Sequence, residues 1–167
     1  MSVISVQASD STGNPLDLVE EIVSSNEWAF DRPSERDLVV EFSGNWCDYR
    51  LYFNWVEAIS AMQFSCVLDM KVPKEKNGGV NGLLSLINDR LWLGHFTITA
   101  DQGLLAFRHA VLLRGMRGAS VEQLEDLVDI ALSEAERFYP AFQFVIWGGK
   151  EPHEAIEVAL LDTVGEA

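Results

Sequence analysis

The sequence predicts an α+β domain: an antiparallel sheet of about five strands packed by helices, in the order α-β-β-β-α-β-β-α. Three observations predict it. Between Asp37 and Met70, three segments alternate apolar and polar residues, the period of a half-buried strand. The stretches joining them, Ser43–Trp46 and Val56–Ser60, are short enough to connect antiparallel neighbours. Before and after this region the apolar spacing changes to three and four residues, the period of a helix. Hairpins next to helices of that kind build a helix layer on one face of a sheet.

Each element follows in order. Residues 1–13 are small and polar and are expected as a flexible N-terminal tail. Asn14 suits an N-cap and Pro15 the first helical position. Leu16, Val19, Ile22, Val23 and Asn26 then mark one side of a helix, with Asp17, Glu20 and Glu21 on the other. Acidic residues in the first turns suit the helix dipole. The strands come next. Leu38, Val40 and Phe42 share one face, as do Tyr49, Leu51, Phe53 and Trp55, and then Met62, Phe64, Cys66, Leu68 and Met70. Arg50, Tyr52, Asn54, Gln63, Ser65 and Asp69 point the other way.

Pro73–Gly82 breaks the sheet, and its three glycines argue against helix before Val80. A second helix is expected from Val80, through Leu83, Leu84, Ile87 and Leu91, ending near Gly94. Asp101-Gln102-Gly103 reads as a three-residue hairpin loop with its glycine left-handed. That loop pairs residue 100 with 104, His95 with His109, and Phe96 with Arg108. Ser120 caps a third helix whose stripe is Val121, Leu124, Leu127, Val128, Ala131, Ala135 and Phe138. Pro140 is expected to kink or restart it. Residues 141–147 either continue as helix or form a strand; helix is preferred because Phe138, Phe142, Val145 and Ile146 keep the helical spacing. One domain is thus expected over 14–149, followed by an exposed C-terminal helix and tail over 150–167.

Composition narrows the function. The 167 residues favour a single domain, and a net charge of −14 repels phosphate backbones and anionic membrane surfaces. Neither nucleic acid nor membrane is expected as a partner. Basic protein segments with apolar anchors remain compatible. The N-terminus lacks a secretory pattern and no apolar run approaches membrane-spanning length. A cytoplasmic location follows, with Cys47 and Cys66 as free thiols.

The candidate motifs are incomplete. Gly149-Lys150 resembles the end of a phosphate loop, but Phe144 stands where the first glycine belongs and Glu151 where Ser or Thr would bind magnesium. His153-Glu154 opens a zinc-like motif whose second histidine is Glu157. The glycines instead read as a helix stop, with a new helix starting at Pro152. Trp46-Cys47 resembles a redox site, yet Arg50 holds the place of the second cysteine. His95 and His109, facing across the hairpin, would need a third ligand to bind metal. No catalytic residue, metal or cofactor is expected. The alternative is a metal- or cysteine-dependent enzyme using His95, His109 and Cys47.

Four stretches, GNWCDYRLYFNW, LLSLINDRLWLGHF, FRHAVLL and ERFYPAFQFVIWGGKEPHEAI, resemble the YbjN family of bacterial sensory transduction regulators. The likeness runs from about Leu16 to the C-terminus. It implies a fold like that of type III secretion chaperones, which are small, acidic, usually dimeric and bind unfolded client segments. It brings no catalytic residues. The expectation is a non-catalytic regulatory module that binds a protein or unfolded peptide client and forms a homodimer. Tyr52 and Trp147, aromatic residues outside the expected core, are the candidate contacts.

Overall fold

The alternating segments pair as strands in the computed structural model, which describes residues 12–164. Strands β1 (Phe30–Asp31), β2 (Asp37–Ser43), β3 (Asp48–Val56), β4 (Ala61–Lys71), β5 (His95–Ile98) and β6 (Leu104–Leu112) form one antiparallel sheet. Their spatial order is β1-β2-β3-β4-β6-β5. Helices α1 (Leu16–Ser25), α2 (Asn77–Asn88), α3 (Val121–Ile146) and α4 (Pro152–Val164) accompany it. The α+β architecture expected from the sequence is the one observed, with one short strand more.

That added strand, β1, is two residues long and pairs Phe30 with Val40 and Asp31 with Val39. Just after it, Arg32 bridges back to α1, 2.7 Å from Asp17 and 2.5 Å from Glu20. So short a strand leaves no alternation to read. In β2, β3 and β4 the expected inward residues do line one face. Leu38, Val40, Leu51, Phe53, Met62, Phe64, Cys66 and Leu68 are all buried there. The register pairs Leu51 with Cys66 and Phe53 with Phe64, whose rings sit 5.0 Å apart. Burying such a ring contributes on the order of 2 kcal/mol.

The second helix begins earlier than its composition suggests. α2 starts at Asn77 and contains Gly78, Gly79 and Gly82. Glycine lowers helix propensity, but here it permits close approach. A Cβ on Gly79 would lie 3.1 Å from Val145 of α3, and one on Gly82 3.1 Å from Pro152 of α4. The helix also stops at Asn88 rather than near Gly94. The Asn88 side chain holds the start of β5, accepting from the Phe96 N–H and donating to the Phe96 carbonyl.

The β5–β6 hairpin is one residue out of the expected register. His95 pairs with Arg108, and Phe96 with Phe107. The connection is four residues long, because Thr99 closes it. Its carbonyl accepts from the Gly103 N–H and its hydroxyl from the Leu104 N–H. Gly103 is left-handed as expected, with φ at +67°.

α3 runs unbroken through Pro140 for 26 residues. Residues 141–146 are therefore helix, and the expected restart does not occur. Ser120 and Gln123 form a reciprocal capping box at its start. Phe138 and Phe142 reach Phe96 at 6.3 and 5.6 Å between ring centres, joining α3 to the sheet. α4 is not the exposed helix its length and position suggest. Ala155, Ile156 and Ala159 are buried, and α4 packs on α2 and α3. Of the tail expected over 1–13, residues 1–11 lie outside the described residues.

Candidate functional site

The helices cover one face of the sheet; the outward positions of the strands remain on the other. Register sets a row across it: Val39, Tyr52, Ser65, Arg108 and His95, from β2 to β5. Tyr52, second in the row, is 38% exposed. It separates two hollows. One, of about 360 Å³, is lined by Glu41, Asp48, Arg50, Val67 and Asp69 as well as Tyr52. The other, of about 500 Å³, is lined by Tyr52, Asn54, Gln63, Ser65, Arg108 and His95 among others. The first has three carboxylates against one guanidinium, so it favours cationic groups. A register shift in β4 between Val67 and Lys71 lies beside the same hollow. Irregularities of this kind increase local twist.

A third depression, of about 240 Å³, lies between α1 and α3. Ile22, Trp28, Phe53, Leu124 and Val128 give it apolar walls, and Glu125 and Asp129 border it.

The histidines are not cross-strand partners. His109 pairs with Phe64, while His95 pairs with Arg108. Alternation along β6 then turns the His109 side chain toward the helix-facing side and leaves His95 in the outward row, although both residues line the hollow of about 500 Å³. They remain close enough to interact: burial lowers the His109 pKa, and the charge of His95 lowers it further. Cys47 lies elsewhere, in the β2–β3 turn. Burial raises its pKa, and Glu136 and Asp69 add to the rise against hydrogen bonds from the Asp69 backbone and Tyr49. A thiol held protonated is a poor nucleophile, and no histidine is among the groups acting on it. Among the described residues no group of three His, Cys, Asp or Glu could hold a metal ion. Trp147 sits at the C-terminus of α3, 62% exposed and away from both hollows.

One arrangement escaped sequence reasoning. Glu136 of α3 reaches the β2–β3 turn and accepts the Asn45 N–H at 2.9 Å. Its other oxygen is buried without a hydrogen-bond partner, and the Tyr49 hydroxyl is buried next to the Cys47 thiol. Gly44 makes room for this contact, since a Cβ there would fall 2.4 Å from the Glu136 carboxylate and 2.2 Å from the Tyr49 ring. A glutamate on a charged helix reads as solvated, so nothing in the sequence marks it.

Fold and surface together define a two-layer α+β domain with one sheet face left uncovered among the described residues. The sequence model of the YbjN family, described as "putative bacterial sensory transduction regulator", matches residues 15–144. The chain belongs to the YbjN family. The match ends before α4, so the likeness read to the C-terminus is longer than the matched region. Among solved structures, the chain is similar to the crystal structure of YbjN from E. coli, described as a putative transcription regulator. The two share 14% identity with a TM-score of 0.51, over 78% of this chain and 87% of that one. A comparison with curated proteins finds no match. No helix among the described residues is long and apolar enough to cross a membrane.

Proposed function

We propose that this chain is a non-catalytic regulatory domain that binds a protein or peptide partner on the bare face of its sheet, centred on Tyr52. The observation that carries the reading is the position of Tyr52, half-exposed between two hollows on the face the helices leave open. Tyrosine suits such a place, because a rigid ring offers contact area and a polar tip at little entropic cost. Glu41, Asp48 and Asp69 beside it favour a partner segment with Lys or Arg next to an apolar anchor. Membership in a regulator family agrees with a binding role. With a net charge of −14, an effect on transcription would run through a protein rather than through direct contact with DNA. The reading includes a cytoplasmic location, a chaperone-like use of the fold, and a homodimer, the commonest oligomeric solution. Trp147 lines neither of Tyr52's hollows and would belong to a separate contact.

Affinity capture from host-cell lysate tests it. The wild-type chain should retain a defined protein that Tyr52→Asp loses, while Trp92→Asp, at another exposed aromatic, keeps it. Identical capture by Tyr52→Asp, or background alone, would refute the reading.

A further inference from the structure

The two hollows beside Tyr52 carry opposite charge. In the first, Arg50 lies 3.8 Å from Glu41, and the carboxylates of Asp48 and Asp69 remain in excess. In the second, Arg108 and His95 are register partners in the outward row and give the hollow its positive side. Asn54 and Gln63 add amide donors there. A guanidinium among N–H donors suits a carboxylate. His109 lines the same hollow, and its pKa is lowered by burial and then by the charge of His95. An anion in the hollow would relieve that repulsion. The chain as a whole carries a charge of −14, so this hollow runs against its average.

Register fixes how far apart the two signs lie. Arg108 pairs with Ser65 of β4, and Asp69 stands four residues further along β4 on the same outward face. Tyr52 also pairs with Ser65, and Asp48 stands four residues back along β3. Four residues of strand span about 13 Å. Half-buried Val67 lies midway, lining the first hollow with Tyr52. An extended segment laid along these strands has the same repeat. Its side chains at i, i+2 and i+4 point to one side, and the outer two stand about 13 Å apart. They would meet the two aspartates, then Val67 and Tyr52, then Arg108 and His95.

We propose that the partner is a dipolar extended segment, with Lys or Arg at one position, an apolar residue two further on and Asp or Glu four further on, the acid seated against Arg108 and His95. This rests on the reading that a partner binds at Tyr52, and it specifies what that partner carries there. Contact through side chains lets the segment run either way along the strands, so the basic residue can come first or last. The field of the whole chain draws a basic partner in, and the two opposite charges set its register.

Fluorescence anisotropy with the full chain at physiological salt tests it, using short labelled peptides centred on Lys-Thr-Leu-Thr-Glu, Lys-Thr-Leu-Thr-Lys or Glu-Thr-Leu-Thr-Glu. The mixed peptide should bind about tenfold more tightly than either like-charged one. Arg108→Glu should pass the preference to the peptide with two lysines, and Asp69→Lys to the peptide with two glutamates. Both positions are exposed, so neither change touches the core. Equal affinity for all three peptides, lost together in Tyr52→Asp, would overturn the dipolar segment and leave the Tyr52 site standing. Binding of the mixed peptide that survives Tyr52→Asp would sink the Tyr52 reading, and this inference with it. A wild-type preference for the two-lysine peptide would overturn the inference, since net charge alone would then decide. Binding of none of the three would overturn it too, whatever lysate capture retains.

Discussion

His109 shows how position alone sets a residue's chemistry. Its pKa is lowered in the folded chain, by burial first and by His95 second. The unfolded chain therefore takes up a proton at a higher pH than the folded one does. The associated stability is complete above the ordinary histidine value and is lost as pH falls through it to the lower folded value. His109→Gln should flatten the dependence of urea midpoint on pH between about pH 7 and 5. An unaltered slope would assign that dependence to other groups. The sequence brought the two histidines to one hairpin but faced them across it, because a three-residue loop was the natural reading of Asp-Gln-Gly. Thr99 lengthens the loop by one, and one residue is enough to send a side chain to the opposite face. Glu136 lies at the other extreme. Its contact with Asn45 spans 91 positions, and no local pattern announces it.

At the scale of elements, period-two alternation made β2, β3 and β4 legible, and it worked because only one face of the sheet is buried. α2 was only half legible. Glycine is a poor helix former in isolation, and the reason for it at Gly79 and Gly82 lies in Val145 and Pro152, on helices far along the chain. α4 misled for the opposite reason. Its polar residues suggested a solvated terminal helix, yet Ala155, Ile156 and Ala159 complete the core. Ile156→Ala should therefore cost about 2–4 kcal/mol, read from the urea midpoint, while Glu157→Ala on the exposed side should cost almost nothing. Equal, small effects would mean that α4 adds little to the fold. β1 was invisible to period because two residues have none.

The whole molecule combines a net charge of −14 with a sheet face that no helix among the described residues covers. Attraction of a basic partner segment should act mainly on encounter, so raising salt from 50 to 500 mM should slow association about tenfold or more. Dissociation should change far less, as surface plasmon resonance with the captured partner would show. An association rate indifferent to salt would remove the carboxylates from recognition. Architecture and family were readable from the sequence at this scale, because both rest on patterns spread along the chain. The location of the bare face was not, since it depends on where four helices collect.

Trp55 closes the inner row of β3 at 4% exposure, while Trp92 is 99% exposed and Trp46 and Trp147 more than half so. Indole emission follows the polarity around the ring, so the molecule carries its own optical gauge. The blue edge of its spectrum belongs to buried Trp55 and to Trp28, half-buried against the core, and reports the integrity of the sheet. The red edge belongs to the surface indoles, and Trp92 there answers to solvent and to whatever settles over it.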